Sequence, residues 1–265
     1  MNRNKNELPP TTCMRYGFQN CFNFINRKAT AHTQTVGSNR QNKMRVTILL
    51  LFFFLTKSIY LFSQERGQPF KCGYGVKNKA DLTRYFNDVY SNIEVKKDDY
   101  VASVGSSSGY VEALISLFVD SVNWTLQDID TSCLNHSEVK KVISYYEEIL
   151  PKKINSNFEI IIGTELQTNL PRGKFDKVIL LNVFHELSDR ISIMNDIKGS
   201  LNKNGQIVIM ERMAKRYGQR HGDCGHLKLV EEEFLFEMNK YGFKSIKKVL
   251  PDKKTNLTFY TFTIK

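Results

Sequence analysis

Short apolar runs alternate with amphipathic segments along the chain from about residue 77 onward. Apolar residues recur at helical spacing in segments that predict helices at 77–93, from 110 onward, and at 131–150, 191–203 and 229–241. Five short runs predict strands at 100–104, 124–130, 158–163, 177–182 and 206–211. The last two runs, 243–250 and 257–264, flank a polar segment that starts at Pro251, which predicts an antiparallel hairpin.

Repeated strand–helix units followed by a hairpin predict an α/β fold, with an open, mostly parallel sheet and helices on both faces. The fourth strand contains a continuous apolar run at 178–181, as expected for a strand that is buried on both faces. Ligands of such sheets bind at the carboxyl ends of the strands. We therefore expect the functional residues in the loops that follow the parallel strands.

Residues 105–109, Gly-Ser-Ser-Ser-Gly, form a turn of small residues between the first strand and its helix. Backbone N–H groups in such a turn can approach a ligand closely, with the helix N-terminus aimed at it. One chemistry that uses this geometry is the binding of a nucleotide-like cofactor. The other is hydrolysis, because these residues match the G-x-S-x-G nucleophile elbow with Ser107 at its centre. The turn alone leaves both functions open.

Two segments precede this domain. Residues 1–43 are rich in Asn, Thr, Gln and Arg without periodicity, which predicts a disordered tail or an over-extended start before Met44. Residues 44–64 have a basic lead, an apolar run and a polar exit, typical of a signal peptide or a membrane anchor. We expect the protein to be exported or to associate with a membrane through residues 46–63, and to be cytoplasmic if this segment is not a signal.

The net charge of +11 does not indicate a nucleic-acid-binding protein. Residues 1–43 carry +6, which leaves +5 for the rest of the chain, and no basic cluster there alternates with aromatic residues. We expect no nucleic-acid partner. The five cysteines are widely spaced and show neither a CxxC pair nor a disulfide framework.

Over about residues 77–265 the chain resembles the class I S-adenosylmethionine-dependent methyltransferases. Four segments carry the resemblance: VASVGSSSG at 101–109, LQDID at 126–130, FDKVILLNVFHEL at 175–187 and LNKNGQIVI at 201–209. The last two resemble the small-molecule members. The resemblance implies a Rossmann-like, seven-stranded, mostly parallel sheet with helices on both faces and an antiparallel C-terminal hairpin, within a domain at 65–265.

The resemblance also implies S-adenosylmethionine as the cofactor and a small-molecule methyl acceptor. It assigns cofactor contacts to eight positions after the first four strands: Gly105, Ser107, Gly109, Asp128, Ile129, Thr164, Glu165 and Asn182. The carboxylate of Asp128 would accept hydrogen bonds from both ribose hydroxyls. Thr164 and Glu165 would contact the adenine, and the segment from Asn182 to His185 would line the floor below the methionine part.

Two positions depart from the family's pattern. Ser103 stands where the family usually has an acid, and Ser107 replaces the middle glycine of the turn. These departures keep open the alternative of a domain that binds the cofactor without catalysing. The spacing of Gly105 and Gly109 differs from the G-x-G-x-x-G pattern and does not favour a nicotinamide cofactor.

The loop after the fifth strand, 212–226, contains several polar and metal-binding side chains close together in sequence. His221 and His226 lie there together with Asp223 and Cys224. These groups suit either a zinc-like ion or the positioning of an acceptor, with a histidine as general base. Because glycines separate the residues, we favour a flexible lid and predict no metal. We therefore name three candidate catalytic histidines: His185, His221 and His226.

The fourth strand ends in Asn-Val-Phe-His, at 182–185, and not in the Asn/Asp-Pro-Pro-aromatic sequence of methyltransferases that modify nucleic-acid adenines or protein glutamines. This difference favours a small-molecule acceptor. The rival enzyme is an exported serine hydrolase. It would use Ser107 as nucleophile, Asp176 or Asp189 as the orienting acid, and His221 or His226 as base.

Overall fold

The computed structural model describes residues 68–222, 224–253 and 255–265. Their strands are β1 (Tyr100–Val104), β2 (Asn123–Asp128), β3 (Asn157–Ile162), β4 (Phe175–Leu181), β5 (Leu201–Arg212), β6 (Phe243–Asp252) and β7 (Leu257–Ile264). All seven form one sheet in the order β3-β2-β1-β4-β5-β7-β6. The first five strands are parallel, and β7 pairs antiparallel with both β5 and β6, which confirms the predicted fold class.

The α-helices of the described residues are α1 (Lys79–Asp88), α2 (Tyr110–Ser116), α3 (His136–Ile149), α4 (Arg190–Ser200) and α5 (Glu231–Lys240). Polar residues define where three of them begin. The side chains of Asn78, Asn135 and Asp189 each accept a hydrogen bond from the backbone N–H three residues further on. Such caps satisfy N–H groups that have no partner inside the helix.

Two hydrophobic cores cover the two faces of the sheet. Helices α1, α2 and α3 pack on one face, and α4 and α5 pack on the other. Successive side chains of a strand point to opposite faces, so Val101 and Ala102 of β1 belong to different cores. The same alternation separates Val178 from Ile179 on β4. Burial on both faces explains the continuous apolar run at 178–181 of β4.

The predicted helix at 191–203 was wrong at its end. The helix stops at Ser200, and residues 201–205 already belong to β5. Leu201 pairs with Phe175 at the start of the neighbouring strand. This ladder contact forms only in the folded sheet, and it overrides the local turn signal of Asn204 and Gly205.

The cysteine spacing revealed no disulfide, yet the structure contains one. Cys72 and Cys133 form a disulfide, with their Cα atoms 5.4 Å apart and 61 positions apart in sequence. Spacing alone could not predict this pair, because the fold brings together the segment before α1 and the loop after β2.

The tail predicted at 1–43 and the signal or anchor predicted at 44–64 lie outside the described residues. Within the part of the chain that the structure describes, no helix is both long and apolar enough to cross a membrane.

Candidate active site

A cleft lies at the carboxyl ends of the parallel strands, next to the point where the chain order reverses between β1 and β4. It contains about 770 Å³ of empty space, including its open mouth. Six predicted cofactor residues line it: Gly105, Ser107, Asp128, Ile129, Thr164 and Glu165. Its apolar wall includes Val183, Leu187 and Ile193.

The turn after β1 has a backbone that needs small residues. Gly105, Ser107 and Gly109 all have positive φ, at 71°, 55° and 75°. A Cβ atom at Gly109 would lie 2.7 Å from a methyl carbon of Leu126, and with the positive φ this contact favours glycine at the start of helix α2. Gly109 therefore serves the packing of the turn, and it lies outside the cleft wall.

Asp128 ends β2 with its carboxylate buried beside the turn. Its two oxygens accept hydrogen bonds from Ser107 N at 2.8 Å and from Asp130 N at 2.9 Å. Burial raises the pKa of Asp128, and these backbone hydrogen bonds oppose the rise. Each carboxylate oxygen has more than one acceptor site, so the group can still receive hydrogen bonds from a ligand.

Of the predicted cofactor residues in the loops after β3 and β4, Thr164 and Glu165 line the cleft and Asn182 does not. Thr164 and Glu165 are exposed at the rim, where Thr164 Oγ1 accepts from Leu166 N and Gln167 N. Asn182 has a positive φ of 61° and donates its backbone N–H to Met210 O. Asn182 lies outside the cleft wall.

A buried acid that was not predicted from the sequence, Glu112, lies behind the turn. Glu112 of α2 accepts a hydrogen bond of 2.5 Å from Ser103 Oγ through its Oε1. Burial raises the pKa of Glu112 to about 7, and the hydrogen bond from Ser103 opposes the rise. Ser103 occupies the position at which the methyltransferases usually have an acid. Glu112 places a carboxylate next to that position. The available signal was an acid inside the otherwise apolar start of the helix.

The three candidate catalytic histidines come together beside the cleft. The His185 and His221 rings stack at 3.9 Å, and the centroid of His226 lies 6.1 Å from that of His185. His185 Nδ1 lies 2.9 Å from Glu211 Oε2 at the end of β5. Both side chains are almost completely buried. Glu211 was not predicted as a site residue, although its position at the end of a strand was an available signal.

Comparisons with protein-family models and with curated protein sequences find no match. Solved structures do match. The methyltransferase in the complex with the Trm112 activator from Haloferax volcanii is 10% identical, covers 70% of this chain and 92% of its own, and has a TM-score of 0.53. A glycopeptide N-methyltransferase complexed with sinefungin is 10% identical, covers 73% and 89%, and has a TM-score of 0.50.

A mitomycin 7-O-methyltransferase is 14% identical, with a TM-score of 0.51. The match covers 70% of this chain and 54% of that one. The chain has the class I methyltransferase fold. At these identities the similarity is limited to the arrangement of the strands and helices. A function must therefore be inferred from the residues of the site.

The fold brings together three side chains of the types that bind metals. Ligand atoms of His185, His221 and Cys224 lie within 4.8 Å of one another. The two imidazole planes differ by only 11°, so their in-plane lone pairs run parallel instead of converging on one point. Tetrahedral zinc needs convergent ligands. The histidine pair would have to rearrange before it could hold such an ion.

The fold does not assemble the triad of the hydrolase hypothesis. Ser107 Oγ donates to the carbonyl of Cys72. Asp176 accepts from Tyr100 N at the amino end of β1, the opposite end of that strand from Ser107. Asp189 caps α4 through Ser192. The candidate orienting acids are therefore engaged elsewhere.

Proposed function

We propose that this chain transfers a methyl group from S-adenosylmethionine to a small-molecule acceptor. The observation that carries the proposal is Asp128, a buried carboxylate at the end of β2 that faces an apolar cleft at the switch point of the sheet. A carboxylate offers acceptors to two ribose hydroxyls at once, and the apolar wall suits an adenine ring. Methyltransferases among the structural neighbours support this assignment.

The turn and the strand ends supply the rest of the cofactor site. Gly105 and Ser107 lie at the cleft, where their backbone can pass beneath the methionine part. Ile129 would pack against the adenosine, and Thr164 and Glu165 would contact the adenine at the rim. When bound, the cofactor supplies an activated sulfonium methyl group. The chain then needs to align the acceptor, exclude water and take up a proton.

We assign the role of proton acceptor to His185. If Nδ1–H donates to Glu211, the second nitrogen, Nε2, is an acceptor and serves as general base toward an acceptor hydroxyl or amine. Glu211 is then a positioning residue, because it holds the ring and stabilises the imidazolium that forms. Glu186 lines the cleft, and its Oε1 lies 3.6 Å from Nε2 of His185. Glu186 therefore lies next to both the proposed base and the proposed cofactor site.

The loop after β5 covers this base. His221 stacks on His185, and His226 Nδ1 lies 3.4 Å from the carbonyl of His185. The side chain of His185 is fully buried, so the acceptor must displace part of this loop to reach it. A covered, enclosed base suits a small acceptor better than a nucleic acid or a protein surface.

Calorimetry with the full chain tests the proposal. The wild type should bind S-adenosylmethionine and its demethylated product, S-adenosylhomocysteine. Turnover is then measured as the release of S-adenosylhomocysteine with a panel of phenols, carboxylic acids and amines. A folded protein that binds neither nucleoside contradicts the proposed cofactor. Binding without turnover on any acceptor would instead favour the cofactor-binding but inactive domain.

A further inference from the structure

A short segment before α1, residues 68–76, contacts the turn at 105–109, and we call this segment the strap and this turn the cofactor turn. Gln68 holds it in shape: its Nε2 donates to Gly73 O at 2.6 Å, and its Oε1 accepts from Gly75 N at 2.6 Å. Lys71 N donates to Glu138 Oε2 on α3 at 2.7 Å. The strap is thus a closed loop that is pinned to α3.

The strap touches the cofactor turn directly. The carbonyl of Cys72 accepts hydrogen bonds from the hydroxyls of both Ser107 and Ser108. A Cβ atom at Gly73 would lie 2.6 Å from the ring of Tyr110, the first residue of α2. The backbone of Gly73 therefore lies too close to Tyr110 for a larger side chain to fit there without a shift. Ser107 itself lines the cleft, so the position of the strap affects a cofactor-binding residue.

The disulfide fixes this contact. It joins Cys72 to Cys133, which is buried and lines the cleft on the side of Asp130. Asp130 Oδ2 lies 3.2 Å from Cys133 Sγ. Cys72 has a φ of 49°, a left-handed conformation that a cysteine rarely adopts without a constraint. The bridge thus holds a strained residue against the turn and holds a wall residue in the cleft.

We propose that Cys72–Cys133 is a redox modification site that controls the cofactor cleft. With the bridge formed, the strap rests on the turn and the cleft is ready to bind. Opening the bridge releases the strap and weakens cofactor binding, because only the fraction of molecules with the strap in place binds well. This inference rests on the proposed function, since it concerns the binding of the same cofactor.

The co-substrate of this site is a dithiol, small or carried by an oxidoreductase. Cys72 is partly exposed and Cys133 is buried, so a thiolate reaches Cys72 Sγ first. Its attack breaks the Cys72–Cys133 bond and releases Cys133 as the thiolate, which takes up a proton. The second thiol of the reagent then displaces Cys72. The dithiol loses two electrons and two protons and becomes a disulfide, and the protein gains two thiols.

The test compares the full chain before and after reduction with dithiothreitol, by calorimetry with S-adenosylhomocysteine. The oxidised wild type should bind about tenfold more tightly than the reduced wild type. The variant Cys72→Ser should bind as weakly as the reduced protein and should not respond to dithiothreitol. That second result controls for the other cysteines. Cys72 is chosen because it does not line the cleft.

Hydrogen exchange gives a readout that is independent of the cofactor. Amides of the strap should exchange faster after reduction, while those of β4 should not change. Equal affinity in the two redox states, or tighter binding after reduction, overturns the inference and leaves the proposed cofactor intact. Absence of binding in both states overturns the proposed function and this inference together. Unchanged exchange in the strap overturns the inference even if affinity falls.

Discussion

The hydroxyl of Ser103 on β1 donates a hydrogen bond of 2.5 Å to Glu112 Oε1 on α2, and both side chains are buried. Ser103 precedes the cofactor turn by two residues, and Glu112 lies in the first helical turn after it. The pair therefore connects the two sides of residues 105–109. The strand has a serine and no acid at this position, and Glu112 of the helix supplies a carboxylate beside it.

Glu112 should make stability depend on pH. Its folded pKa of about 7 lies above the ordinary value of 4.5. Stability from its protonated form is complete below about pH 4.5 and is lost as the pH rises through 7. Glu112→Gln should therefore match the wild type near pH 5 and exceed it at pH 8, by on the order of 3 kcal/mol in the free energy of unfolding.

Urea unfolding at both pH values measures this difference. Glu232→Gln, at an exposed position of α5, is the matched control and should show the same small effect at both pH values. A Glu112→Gln effect that does not change between pH 5 and pH 8 would contradict the assignment.

Asp128→Asn should weaken binding of S-adenosylhomocysteine about ten- to a hundredfold, because hydrogen bonds to a charged group contribute roughly 1.5–3 kcal/mol. The control Asp120→Asn lies outside the cleft and pairs with Lys152, so it should bind like the wild type. Calorimetry gives the affinities, and thermal melting checks that both variants are folded. Equal binding by the two variants would remove Asp128 from the site.

Ser107→Gly should keep S-adenosylhomocysteine affinity within about threefold, because glycine relieves the left-handed backbone at φ 55° while one hydroxyl contact is lost. Ser107→Val should bind more weakly, since a β-branched residue is strained there. A fluorophosphonate probe should not label the wild type. Stoichiometric labelling of Ser107 that the glycine variant abolishes would establish the hydrolase instead.

His185→Ala should lower turnover by about a hundredfold or more, in line with the usual size of general base catalysis. Glu211→Gln should lower kcat less and shift its pH profile, because the ring keeps its place but loses the countercharge. His221→Ala and His226→Ala should also lower turnover. All four variants should keep cofactor affinity within about twofold, since these residues lie on the acceptor side.

His136→Ala, at the exposed start of α3, is the control for these variants and should turn over normally. Full turnover in His185→Ala would show that another group takes the proton. A stoichiometric zinc ion in the purified wild type would instead indicate that the histidines rearrange around a metal.

We propose that residues 46–63 direct the chain to a membrane or through it. The Cys72–Cys133 disulfide supports export, because such bonds persist in oxidising compartments. Fractionation of cells that express the full chain should find it in the membrane or exported fraction, and deletion of 46–63 should abolish this. Deletion of 1–43 should change nothing. An unprocessed full chain that stays in the cytosol would contradict the proposal.

The sequence by itself determined most of the elements and the strand ends at which the cleft lies. The apolar run of β4 and the small-residue turn at 105–109 are local signals, which depend on neighbours along the chain. Asp128 was predicted because it lies at the end of a parallel strand and because its segment, LQDID at 126–130, resembles the methyltransferases. These predictions needed no knowledge of which distant residues meet.

The tertiary structure alone decided the pairings. Cys72 meets Cys133 across 61 positions, and His185 meets Glu211 at the ends of neighbouring strands. The start of β5 depends on its ladder with β4, against a local turn signal. Such contacts depend on strand order and register, which single-residue patterns do not encode. For that reason the contact between His185 and Glu211 and the contact between the strap and the turn became visible only in the folded chain.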